Sequence, residues 1–142
     1  MQKLVFFLLI SLFSFSLAAQ TMLSPAGKCS FSFALDAEGA PTYRLFYGKK
    51  EVVQTSRMAV MLKDLPAFEK GFSIVKVDSM SYDGTWKPVW GEVASIRNHY
   101  KELAVTLQQA SVNGRKWVIR FRLYDDGLGF RYEFPAQQGF KH

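Results

Sequence analysis

Between Tyr82 and Tyr100 the chain gathers the side chains that contact with a sugar would use. Trp86 and Trp90 supply flat aromatic faces, and Asp83, Glu92, Arg97, Asn98 and His99 add carboxylate, guanidinium, amide and imidazole groups. An aromatic face lies well against the apolar C–H face of a pyranose, while such polar groups bond its hydroxyls. Trp86, Trp90, Glu92, Asn98 and His99 are therefore candidate substrate-contact residues. A second reading of the same segment stays open, in which Trp86 and Trp90 fill a core beneath a loop punctuated by Pro88 and Gly91.

Other chemistries lack their parts. With His99, His142 and the single Cys29, a metal site of the Cys/His type cannot be assembled. Cys29 and His99 could in principle pair as nucleophile and base, but no local signature surrounds either. No glycine-rich phosphate loop is present. Asp125-Asp126-Gly127 reads as turn chemistry and not as a calcium loop. Cleaving a glycosidic bond takes two carboxyl groups across it. Glu92, in a loop, and Glu102, at a strand start, are the best-placed acids, yet no pair has a defined separation, and a glutamate near a turn is usually solvated. Neither a catalytic residue nor a metal ligand is assigned from the residues.

The elements that must position this segment are strands. Phe31, Phe33 and Leu35 alternate with Ser30, Ser32 and Ala34, as a half-buried strand requires. Tyr43, Leu45 and Tyr47 repeat the pattern, Gly48-Lys49-Lys50 reads as a turn into Glu51-Val52-Val53, and Met58, Val60 and Leu62 continue the alternation. Asp64, Pro66 and Gly71 interrupt it before Phe72 to Val77 resumes. Leu103, Val105 and Leu107 alternate with small and polar residues. Cys29 fits a small buried thiol near a strand start. No window keeps a helical apolar stripe, and successive short strands between turn signals indicate an all-β class, an antiparallel sandwich or a barrel.

The final hairpin is the most explicit unit. Trp117, Ile119, Phe121 and Leu123 match Leu128, Phe130, Tyr132 and Phe134 across Asp126-Gly127. A two-residue type I′ turn there places Leu123 opposite Phe130, Phe121 opposite Tyr132 and Ile119 opposite Phe134. It also sets Arg120 against Glu133 and Arg122 against Arg131, which calls for an acid from another strand or for screening by water.

At the N-terminus Lys3 precedes an apolar run from Leu4 to Leu17, a secretory leader in pattern and too short to span a bilayer. Residues 1–19 are expected to be removed, leaving 20–142 as one domain. Losing Lys3 takes the formal charge from +6 to +5. The basic residues are scattered, without the run that marks nucleic-acid or membrane partners, so neither is expected after cleavage.

Three blocks carry a resemblance. Thr85-Trp86-Lys87-Pro88-Val89-Trp90-Gly91-Glu92, then Ile96-Arg97-Asn98-His99-Tyr100 with Glu102 to Leu107, then Ile119 to Leu123 with Asp126 to Pro135 together resemble glycoside hydrolase family 97, at the start of its α-glucosidase group. Ser24-Pro25 and Gly39-Ala40-Pro41-Thr42-Tyr43 agree as well, so the likeness covers nearly all of residues 20–142. It implies an exported, periplasmic enzyme acting on α-linked glucosides or galactosides, aided by calcium. It further implies an N-terminal supersandwich, akin to galactose mutarotase, packed on a (β/α)₈ catalytic barrel. On that likeness the sandwich here is incomplete at its C-terminus, and the barrel carboxylates and a later calcium-site glutamate fall beyond this chain. No cofactor is expected within residues 20–142. A free-standing sugar-binding module without catalysis is the alternative.

Overall fold

The structure is a computed structural model that describes residues 19–137. The leader expected over 1–19 lies outside the described residues apart from Ala19, as do residues 138–142.

Among the described residues there are eight strands and no helix. They are β1 (Gln20–Leu23), β2 (Cys29–Leu35), β3 (Pro41–Tyr47), β4 (Lys50–Arg57), β5 (Phe72–Trp86), β6 (Ile96–Gln109), β7 (Arg115–Leu123) and β8 (Leu128–Glu133). Two antiparallel sheets result, in the orders β1-β2-β3-β4 and β5-β6-β7-β8. The expected all-β sandwich is what forms, each sheet a simple meander, because every apolar stripe has period two and can be buried only against a second sheet.

The interior follows from that alternation. Phe31 and Phe33 from the first sheet meet Phe121 from the second at ring-centroid distances of 4.6 and 5.5 Å. Leu103, Val105, Leu107, Trp117, Ile119 and Leu123 complete the inner face of the second sheet, and Cys29 is buried with them at the start of β2. Each such large side chain contributes about 1.5–3 kcal/mol by leaving water. Trp117 is enclosed by Phe68, Phe72 and Tyr132, and its indole N–H has no acceptor among the described residues.

Turns differ in how they obey the sequence. Gly48-Lys49 joins β3 to β4 as expected, with Gly48 left-handed at φ 55°. The tight turn between β6 and β7 is made by Asn113 and Gly114, both left-handed (φ 51° and 64°), with Arg115 N–H donating to the Val112 carbonyl at 3.0 Å. That is the type I′ arrangement, for which Asn-Gly is the favoured pair.

Two expectations are corrected. Met58, Val60 and Leu62 do not continue a strand. β4 ends at Arg57, and Val60 makes only an isolated bridge to Phe68 within a long connection that includes left-handed Asp64. Alternation persists there because Met58 and Phe68 are both drawn into the core. The β7–β8 register is also displaced by two residues. Leu123 pairs with Leu128, Phe121 with Phe130, Ile119 with Tyr132, Arg120 with Arg131 and Arg122 with Gly129. Gly127 is not left-handed, so a type I′ turn is excluded, and a wider loop closes through Tyr124 N–H and the Gly127 carbonyl at 2.8 Å. Because the shift is even, every side chain keeps its face.

Candidate functional site

β5 and β6 are the longest strands and pair from Phe72↔Gln109 to Trp86↔Ile96, with one register shift between Ile74 and Lys76. β5 is the edge strand of the second sheet, paired only with β6, and it is exposed along nearly all of its length after Ile74. The segment singled out from the sequence is the end of this arm. The connection 87–95 forms its tip.

Cross-strand partners share a face, so the ladder sorts the candidates. Trp86 and Ile96, Gly84 and Asn98, and Tyr82 and Tyr100 lie on one face; Asp83, His99, Thr85 and Arg97 lie on the other. The structure therefore brings Trp86 and Asn98 to one side and puts His99 on the opposite side. Trp90 and Glu92 sit in the tip, both exposed. The core reading of the tryptophans fails within the described residues, since Trp86 is 52% and Trp90 90% accessible. Val89, Val93 and Ile96 add further exposed apolar surface around them.

Polar contacts brace the arm. Arg97 clamps Asp83 in a two-pronged pair, Nε to Oδ1 at 2.8 Å and a terminal nitrogen to Oδ2 at 2.7 Å. That hydrogen bond holds the Asp83 carboxyl below its usual range. The Tyr124 hydroxyl donates to Asn98 Oδ1 at 3.3 Å, fixing the amide over its face of the ladder. Tyr82 stacks on Tyr100 at 5.3 Å, Tyr124 meets Tyr100 at 5.4 Å, and the Arg122 guanidinium lies 4.5 Å from the Tyr100 ring centre. Gly84 makes room for this cluster. A Cβ on it would stand 2.5 Å from the Tyr82 hydroxyl oxygen.

The tyrosine cluster was missed as part of the site. Tyr82 and Tyr100 bound the segment in sequence, and a hairpin centred on the 87–95 tip makes them partners, but Tyr124 joins them only through the β6–β7 pairing.

Glu102 is corrected from a solvated strand-start residue to a buried one, 3% accessible. It lies on the outer face of the second sheet between two arginines, accepting from Arg120 at 2.5 Å and from Arg122 Nε at 2.7 Å. Burial alone would raise its carboxyl, but the hydrogen bonds from Arg122 and Arg120 outweigh that and hold it below the ordinary glutamate range. Glu133 is likewise held down, chiefly by Arg120 and then by Arg131. Asp125 makes a long-range contact in place of the local turn bond expected of it, accepting from Ala26 N–H in the β1–β2 turn at 2.8 Å. Calcium takes six to eight oxygen ligands. Among the described residues no three of His, Cys, Asp and Glu converge.

A family model described as the glycosyl-hydrolase 97 N-terminal region matches residues 22–142. Among solved structures, a glycoside hydrolase family 97 enzyme from Pseudoalteromonas sp. strain K8, in complex with panose, superposes with a TM-score of 0.79 at 30% identity, over 84% of this chain and 18% of that one. The same enzyme in complex with acarbose gives the same figures. A β-arabinopyranosidase superposes with a TM-score of 0.75 at 22% identity, over 84% of this chain and 19% of that one, a likeness of fold. The chain spans less than a fifth of the length of these proteins.

Proposed function

We propose, from the premise that this chain belongs to glycoside hydrolase family 97 and corresponds to the N-terminal β-sandwich region of such enzymes, that it serves an exported α-glycosidase as a sugar-facing buttress. In this reading the sandwich supports a (β/α)₈ barrel supplied by further sequence, and the β5–β6 arm presents Trp86 and Trp90 toward an α-linked glucoside or galactoside. Asn98 and Glu92 bond hydroxyls near those rings, and His99 serves the reverse face of the arm. The periplasm is the compartment, reached through the 1–19 leader.

The exposure of both tryptophans on a braced arm is the observation that carries the reading. Two large aromatic side chains held in water lose the stabilisation that burial would give, and exposed clusters of this kind mark interaction surfaces. The tip is also a loop held on a rigid ladder, a common place for contact residues. Panose and acarbose, found with the Pseudoalteromonas enzyme, give the ligand class to try.

The test is tryptophan fluorescence during titration with acarbose and panose. Saturable change in the chain, lost in Trp86→Ala and Trp90→Ala with the far-ultraviolet spectrum unchanged, is expected. A response equal in wild type and both variants would remove sugar contact from the arm. The free-standing module is favoured instead if binding is tight in this chain alone and barrel sequence adds nothing to it.

A further inference from the structure

The ion pairs on the outer face of the second sheet form a chain with alternating charges. Arg122 Nε donates to Glu102 at 2.7 Å, Arg120 bonds Glu102 at 2.5 Å and Glu133 at 2.7 Å, and Arg131 Nε donates to Glu133 at 2.7 Å. Three guanidinium groups share two carboxylates. Both ends of the chain are arginines, and each end donates through Nε alone, leaving the terminal nitrogens of Arg122 and Arg131 without a carboxylate among the described residues.

These two ends flank Gly129. The ladder sets Gly129 opposite Arg122 and two residues before Arg131, so a side chain at 129 would rise on the same outer face. None does, and an added Cβ there meets nothing within 4 Å. A cavity of about 200 Å³ is lined by Arg120, Arg122, Tyr124, Gly129, Phe130 and Arg131, with no acidic side chain in its wall.

We propose that this notch is a carboxylate-binding site for a small organic acid. The ligand's carboxylate accepts N–H bonds from Arg122 and Arg131, and its body rests beside Tyr124. A third carboxylate would balance the third guanidinium of the chain. Guanidinium groups match a planar carboxylate in both charge and donor spacing. The cavity admits a body larger than the anion alone. The site lies on the same face of the second sheet as Trp86, Asn98 and Tyr100, but it is built from arginines and Gly129 and not from the tryptophans of the tip, so its occupancy is read at those groups.

Titration of the ¹⁵N-labelled chain, followed at the Gly129 amide and the arginine Nε–H signals, tests this with acetate, glucuronate, glucose and inorganic sulfate as probes. Saturable shifts are expected for acetate and glucuronate, with dissociation constants on the order of millimolar, tighter for glucuronate and weakened by added salt. Gly129→Val, which fills the notch with a residue suited to a strand, should abolish the shifts and leave the rest of the spectrum intact. Should that variant not fold, Arg131→Gln, at an exposed position, should weaken binding at least about tenfold. Four results would overturn the proposal: no saturable shift, glucose matching glucuronate, sulfate binding more tightly than acetate, or unchanged affinity in the folded variants.

Discussion

Arg120 and Arg131 stand directly opposite one another in the β7–β8 ladder, two like charges in cross-strand register. Glu133 makes the pairing tolerable by accepting from both, at 2.7 Å from each Nε. Like charges placed opposite destabilise a sheet by up to about 1 kcal/mol, so the shared carboxylate is what allows this register. Glu133→Gln should therefore lower stability by about 1 kcal/mol, since the group is partly exposed and screened. Urea unfolding checks it, and restoration of the loss by a second change, Arg131→Thr, would identify the repulsion as its source.

Glu102 gives a pH signature of definite sign. Its folded carboxyl lies below the ordinary value because Arg122 and Arg120 together outweigh its burial. Such a group contributes its stabilisation in full above the unfolded value, about 4.3, and loses it as pH falls through the folded value. At neutral pH Glu102→Gln should cost about 1.5–3 kcal/mol, the worth of hydrogen bonds to charged groups. The gap between the two proteins should then close as pH falls below about 4, where the protonated glutamate comes to resemble glutamine. Thermal unfolding from pH 7 downward measures it; a gap that stays constant would mean that Glu102 is not ionised in the fold.

Alternation made the two-sheet class and most inward faces legible, because burying a strand on one side imposes period two whatever its partners. Phe31, Phe33, Leu45, Val105 and Phe121 are inward as the pattern requires. Register was less legible. Asp126-Gly127 has the composition of a two-residue turn, yet Tyr124 is held by Tyr100 and Asn98, and Asp125 is engaged by the β1–β2 turn at Ala26, so the loop opens wider. The burial of Glu102 was illegible for the same kind of reason. It depends on Arg120 and Arg122, which lie on the neighbouring strand. At the candidate site, the sequence identified the arm but not how its residues divide between faces; that division sets His99 apart from Trp86 and Asn98.

Gly39 joins the two sheets at close quarters and should not accept a side chain. It is left-handed at φ 73°, and a Cβ on it would stand 2.8 Å from the Phe72 carbonyl oxygen and 2.9 Å from the Phe72 nitrogen. Those are backbone atoms, fixed by the bonds from Phe72 N–H to the Gly39 carbonyl and from Gly71 N–H to the Glu38 carbonyl. The left-handed backbone alone costs about 1–2 kcal/mol with a side chain, and the clash adds to it. Gly39→Ala should therefore lose more than about 2 kcal/mol. Gly27→Ala, also left-handed but with open space around it, should lose only the backbone part. Equal losses in the two variants would mean that the Phe72 contact can relax.

Two carboxyl groups do converge in this domain, and their environment speaks against catalysis. Glu102 and Glu133 both bind the Arg120 guanidinium, and glycoside hydrolysis uses a pair of carboxyl groups. A general acid for that reaction must keep its proton near neutral pH, which takes a raised carboxyl. Both are lowered instead, by the arginines that they neutralise. Neither can protonate a leaving oxygen, and on Glu102 the two guanidinium groups occupy both oxygens that a nucleophile would need free. The purified chain should accordingly release no nitrophenol from an aryl α-glucoside above the buffer rate between pH 5 and pH 8. Turnover abolished by Glu102→Gln or Glu133→Gln would show that the ion pairs open to admit substrate, and turnover abolished by Glu92→Gln would move the chemistry to the tip of the arm.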